Sequence, residues 1–283
     1  MTKKLLLFLA MLCAFAQGAW AQNYEVWDGE TQTVPHASSN NTIEINTAAE
    51  LAWLMHNFRN GSVQYNNVSI SPYSANFNLN ADINMDSRDW TPFDNYEQGT
   101  FNGNGHTIRY IITNGTNDNC QGLFGEMKSG SKVENLHVDC YIKVGDSRKI
   151  GGICGDNYGT IENCYVSGHV ESAHYNTSLD ADLGGIAGLN EGTIQYCCMS
   201  GIVKNTGNNS GVGGIAGRNL SGKTISHVTF YGYVLVDHSQ DNIWVGVWHQ
   251  PDCGDDRRLL RRNVCHRVHL KHCGGGHVLP HHV

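Results

Sequence analysis

Four glycine-framed units recur in phase along this chain, and a chain that repeats at such an interval has few folds open to it. They read "GLFG" from Gly122, "GGICG" from Gly151, "GGIAG" from Gly184 and "GGIAG" from Gly213. Their closing glycines, Gly125, Gly155, Gly188 and Gly217, lie 30, 33 and 29 residues apart. Periods of this length belong to solenoids and arrays, whose repeats bury their apolar faces against one another. A phosphate-binding loop needs one glycine-rich turn that feeds a helix. Here a short β-type run follows each turn, so the glycines read as corners and close approaches between coils.

Within each unit the period is two. Ile161, Asn163 and Tyr165 alternate with Glu162, Cys164 and Val166, and residues 194–201 and 225–232 repeat the pattern. Aligning the units gives five apolar columns: Leu123, Ile153, Ile186, Ile215; Val133, Ile161, Ile194, Ile225; Leu136, Cys164, Cys197, Val228; Val138, Val166, Met199, Phe230; and Ile142, Val170, Val203, Val234. With strands of about 5 residues, each repeat supplies a coil of two or three strands. The expected fold is all-β, a right-handed parallel β-helix or β-solenoid. Thr47 and Glu50 form a capping box that opens one helix over residues 48–58. Its face of Leu51, Leu54, Met55 and Phe58 is expected to cap the first coil, because an open solenoid end exposes unpaired edges.

Charge and composition divide the chain. Lys3 and Lys4, an apolar run over residues 5–16 and the triplet Ala19-Trp20-Ala21 have the three regions of a signal peptide cleaved after Ala21. A secreted or cell-surface location follows, without a membrane span. Residues 22–243 hold 23 acidic and 11 basic residues, net −12, which argues against nucleic acid as a partner. Residues 244–283 hold 3 acidic and 6 basic residues, net +3. The expected organisation is a signal peptide (1–21), an N-terminal capping region with one helix and first strands (22–98), the repeat solenoid (99–243) and an anomalous tail (244–283).

The phased units resemble the GLUG-motif family of secreted and surface bacterial proteins, whose G-L-x-G signature is spelled by Gly122, Leu123, Phe124 and Gly125. The resemblance covers residues 42–236, with "NLNADINM", "WTPF" and "GTFNGNGHTI" leading into the array. It implies an exported repeat architecture, found also as an accessory region of some immunoglobulin A peptidases, and it carries no catalytic residues. The chain has no H-E-x-x-H zinc-protease signature, so peptidase activity does not carry over.

Candidate chemistry is sparse. Asp180 and Asp182 are two residues apart in an insertion and read either as a carboxylate pair or as a solvated corner. Cys154, Cys164 and Cys197 share columns with Leu, Val, Ala and Phe and are expected as buried thiols, although Cys164 with Cys197, or Cys120 with Cys140, could bridge. Tyr158, Tyr165 and Tyr233 fall at corners or outward positions and are the candidate ligand-binding residues, since a ring can stack on sugar or peptide. No catalytic residues, metal or cofactor are expected.

The tail has 7 histidines and 3 cysteines after Trp244. Taken literally, Cys265, His266, His269, His272 and Cys273 suggest metal ligands, and Arg257, Arg258, Arg261 and Arg262 a basic patch. A slip of reading frame near Gly246 explains the break in character instead, because reading Trp248-His249-Gln250 one base later gives the G-x-N of Gly188-Leu189-Asn190 in phase. The chain as written is expected to fray or aggregate beyond about Val236. The functional expectation is a non-enzymatic, adhesin-like scaffold for extracellular glycan or protein. The alternatives are a β-helical carbohydrate-active enzyme and a passive spacer.

Overall fold

The computed structural model describes residues 24–39, 41–113, 120–145, 147–173, 181–207 and 211–236, with the backbone of 243–244 and 247–249. The signal-peptide residues, Asp180, and the tail cysteines, arginines and histidines beyond His249 lie outside these residues. The chain is an all-β solenoid of about six turns, with one α-helix among the described residues.

Each complete repeat supplies four strands to four sheets, more than the two or three expected from average strand length. In one coil they are Lys149–Ile150, Cys154–Asn157, Thr160–Glu162 and Tyr165–Ser172. Three are shorter than an average strand, and only the fourth, of 8 residues, exceeds it. Stacking in parallel register yields two five-stranded sheets, an eight-stranded sheet and a seven-stranded sheet. The last, termed the long sheet, orders Glu25–Val26, Ile83–Asp89, Thr107–Ile112, His137–Val144, Tyr165–Ser172, Cys198–Asn205 and Thr229–Val236. Antiparallel pairing is confined among the described residues to His36–Ser39 with Thr42–Ile45 and to the hairpin Val63–Tyr65 with Val68–Ile70.

The alternating run 161–166 is not one strand. Asn163 turns the corner between the eight-stranded and long sheets at φ 53°, and Asn135, Tyr196 and His227 do so in neighbouring coils. Asn tolerates this left-handed conformation better than most residues. The turn lets Ile161 and Cys164, three residues apart, both face inward. All five apolar columns line the core in register, for example Val138, Val166, Met199 and Phe230. Ile225 and Val228, in the last of these coils, are partly buried against it.

Stacking begins before the glycine units. Thr42–Ile45 already pairs in parallel with Asn76–Leu79, so coil stacking includes the first strands of the N-terminal region. There the core turns aromatic: Phe58, Phe77, Phe93, Tyr96, Phe101 and Phe124 pack ring against ring. Helix α1 (Ala48–Asn57) carries the expected capping box, with the Glu50 amide donating to Thr47 Oγ1 at 3.2 Å and the Thr47 amide to Glu50 Oε2 at 3.1 Å. Leu51, Leu54, Met55 and Phe58 are buried in the same core.

Parallel pairing continues past Val236. Ile243–Trp244 pairs with Gly211–Gly213 and Val247–His249 with Ala216–Asn219.

A tyrosine-bearing face, a corner groove and the buried polar groups

In-register stacking converts every outward position of a strand into a row along the solenoid. On the long sheet, one row runs Ile111, Tyr141, His169, Ile202, Tyr233, and its neighbour runs Arg109, Asp139, Ser167, Ser200, Tyr231. Tyr141, Tyr231 and Tyr233 are the exposed large aromatics among the described residues, at 44%, 37% and 41%. The Tyr141 and His169 rings stack with centroids 5.3 Å apart. A shallow cleft of about 190 Å³ lies between the rows, lined by Arg109, Asp139, Tyr141 and His169 among others. Arg109 Nε is 2.9 Å from Asp86 and 3.8 Å from Asp139.

A third row begins His137, Tyr165, Cys198. Tyr165 is half-buried with its ring 4.5 Å from that of His137. Tyr165 and Tyr233 therefore share a sheet face but not a row. Tyr158 is elsewhere, at the corner between Cys154–Asn157 and Thr160–Glu162, with Lys128 Nζ 5.9 Å from its ring centroid. It edges a polar groove of about 500 Å³ along the eight-stranded sheet, lined by the in-register Lys132, Thr160, Thr193 and Thr224. Tyr158 is thus separated from the other two candidates by the solenoid's own corner. Sequence reasoning missed Tyr141, His169 and Tyr231. Shifting the apolar columns by one residue would have found their rows.

The buried carboxylates of Asp182, Asp156 and Glu171 are paired with cations. Asp182 is fully buried, not a solvated corner, with Arg218 Nη2 2.8 Å away. One coil earlier Lys149 pairs with the buried Asp156. Burial pushes the Asp156 carboxyl up, against the opposing pull of Lys149. Burial also raises Glu171, but a hydrogen bond from His169 and the charges of Lys204 and Lys143 hold that carboxyl below its ordinary value. Among the described residues all six cysteines are free thiols, and every one except Cys120 is buried. Burial raises Cys120 and Cys198 to about 12. Such thiols are not poised as nucleophiles.

His137 is the titrating group with the clearest consequence. Burial pulls its imidazole down to about 4. Since the unfolded chain protonates this residue near 6.5, the stability it contributes is complete above that pH and is lost as pH falls from about 6.5 to about 4. The full loss is about 3 kcal/mol. The thermal midpoint should fall over that window, and less steeply in His137→Gln; parallel slopes for the two chains would refute the assignment.

The family model described as "The GLUG motif" matches residues 147–171. The chain is 38% identical over 82 residues to a Gly-rich membrane protein of Evansella cellulosilytica, covering 27% of this chain and 10% of that protein. It is 36% identical over 72 residues to halomucin of Haloquadratum walsbyi, covering 25% of this chain and 1% of that protein. The chain thus spans a tenth or less of these relatives. No solved structure matches it. No helix among the described residues is long and apolar enough to cross a membrane. Residues 147–171 form one full coil of the stack, and the chain therefore carries the GLUG motif as a structural repeat of a β-solenoid.

Proposed function

We propose that this is an exported, non-enzymatic, adhesin-like protein that binds extracellular glycan on the outer face of its long sheet. The observation that carries the reading is the set Tyr141, Tyr231 and Tyr233, exposed on one sheet face with the Arg109–Asp139–Ser167–Ser200 row beside it. Aromatic rings supply apolar area with a polar tip, and hydroxyl, carboxylate and guanidinium groups alongside supply donors and acceptors for sugar hydroxyls. Tyr165 supports this face through its packing on His137, and Tyr158 provides a separate contact in the corner groove. Asp182 is committed to Arg218 and is not exposed to a substrate, which weighs against the carbohydrate-active enzyme.

Export rests on the N-terminal Lys3, Lys4, apolar run and Ala19-Trp20-Ala21, with cleavage after Ala21. A surface location accords with the names of the relatives, one a membrane protein. The coils are taken as right-handed, since parallel crossovers within a sheet wind that way in about 98% of cases. Helix α1 caps the N-terminal end, its buried face covering core that the first coil would expose.

The test is a glycan array probed with the full chain, followed by calorimetry on Tyr141→Ala, Tyr233→Ala and Tyr158→Ala. Each of the first two variants is expected to weaken binding about tenfold, a stacking contribution of about 1–1.5 kcal/mol. Undiminished binding by both would refute the face as the site. Absence of glycan binding by the parent chain would leave the spacer as the better reading.

A further inference from the structure

The register of the last coil breaks at one residue. An offset of 31 links Val212 to Ile243, Gly213 to Trp244 and Ala216 to Val247, then falls to 30 between Asn219 and His249. In the two preceding steps the offset is constant across the same strand: Cys154 to Ala187 and Asn157 to Asn190, then Ala187 to Ala216 and Asn190 to Asn219. The shift falls between the partners of Ala216 and Asn219, where the undisturbed register would set Trp248 opposite Gly217.

Gly125, first in this column, has room for a Cβ, with no atom nearer than 3.5 Å, but the later coils leave none. A Cβ would lie 2.7 Å from Cys120 Cβ at Gly155, 2.4 Å from the Ile150 amide nitrogen at Gly188 and 2.5 Å from the Leu183 nitrogen at Gly217. In each case the obstruction belongs to the preceding coil, and at Gly188 and Gly217 it is backbone, which cannot swing aside. Tryptophan there forces the strand to slip, whereas glycine would keep the phase.

The codons supply that glycine. Trp-His-Gln before proline is TGG-CAY-CAR-C, and one base later it reads GGC-AYC-ARC: glycine, then isoleucine or threonine, then asparagine or serine. At an offset of 31 these fall opposite Gly217, Arg218 and Asn219, so the third residue lands in the column of Asn157, Asn190 and Asn219. Asp255 and Asp256 become methionine or threonine, then isoleucine or threonine, opposite Thr224 and Ile225. From Trp248 to Leu259 no codon choice creates a stop in this frame; Leu260 and Leu270 are the first places where one can arise.

We infer that the residues from Trp248 onward are read one base out of phase with the solenoid, and that the shifted frame encodes a further coil. Two strands of that coil would pair with Thr224–Ser226 of the eight-stranded sheet and Thr229–Val236 of the long sheet, the terminal strands of those sheets among the described residues. The His- and Cys-rich character of the tail is then a by-product of frame, not metal chemistry. The inference stands independently of glycan binding, because it rests on backbone register and codon identity.

The experiment expresses two full-length products, one from the coding sequence as given and one with a single base removed ahead of codon 248. Limited proteolysis with intact-mass readout compares them. The base-deleted product should yield a resistant core longer by roughly one repeat of 30 residues and a higher thermal midpoint. A stop at codon 260, or resistant cores ending at the same residue in both chains, would overturn the inference. If the base-deleted product is insoluble, Trp248→Gly/His249→Thr/Gln250→Asn in the given frame tests the same position. It should slow cleavage and amide exchange across residues 243–250, and unchanged rates there would overturn the inference equally.

Discussion

Replacing Arg218 with alanine should destabilise the folded chain by about 3–5 kcal/mol, the range for removing one partner of a buried ion pair. Asp182 has a side-chain exposure of 0%, and Arg218 Nη2 and Nε reach its Oδ2 at 2.8 and 3.2 Å. Without the guanidinium the buried carboxylate must stay charged with a cationic partner fewer or take up a proton, and either costs stability at neutral pH. Asp182→Asn added to Arg218→Ala should recover part of the loss, since the amide carries no charge. A thermal midpoint for Arg218→Ala within a degree of the parent would mean that the pair is dispensable. No recovery in the double variant would mean that the loss arises from packing.

Asn190→Ala is expected to cost about 2–4 kcal/mol. Asn157 Nδ2 donates to Asn190 Oδ1 at 2.7 Å, and Asn190 Nδ2 donates to Asn219 Oδ1 at 2.5 Å, with all three residues buried. Alanine removes a hydrogen bond from each neighbour at once, and losing a buried hydrogen bond costs about 1–2 kcal/mol. Chemical denaturation would measure the difference. Because solenoids can unfold repeat by repeat, the midpoint and the breadth of the transition should both be recorded. A midpoint shift worth under 1 kcal/mol would show that water replaces the missing amide.

Much of the architecture was legible in the sequence because a solenoid repeats its constraints. Ile153, Ile186 and Ile215 occupy one column for the same reason in each coil, so their recurrence is enough to identify the buried face. The capping box of Thr47 and Glu50 is equally local. The strand count was not legible: the αL corner at Asn163 interrupts an alternation that reads as continuous, and at Tyr196 and His227 no asparagine marks it.

The candidate sites were legible only in part. Tyr165 and Tyr233 could be placed outward from their alternation, but which rows adjoin depends on register. Tyr141 with His169, and Arg109 beside Asp139, are neighbours because strands about 4.8 Å apart come from residues some 30 positions apart in the chain. Tyr158, which shares the outward reading, belongs to another surface because a corner intervenes.

The sequence by itself determined that this chain stacks coils, which residues face the core and where the helix starts. Each of these follows from local periodicity or from a position whose chemistry repeats. Only the tertiary structure decided that Asp182 is a buried partner of Arg218, that Asn157, Asn190 and Asn219 form one hydrogen-bonded ladder, and that the phase is lost opposite Gly217. Those facts depend on contacts between coils, and contact across a gap of 30 residues is set by register, which no single repeat contains.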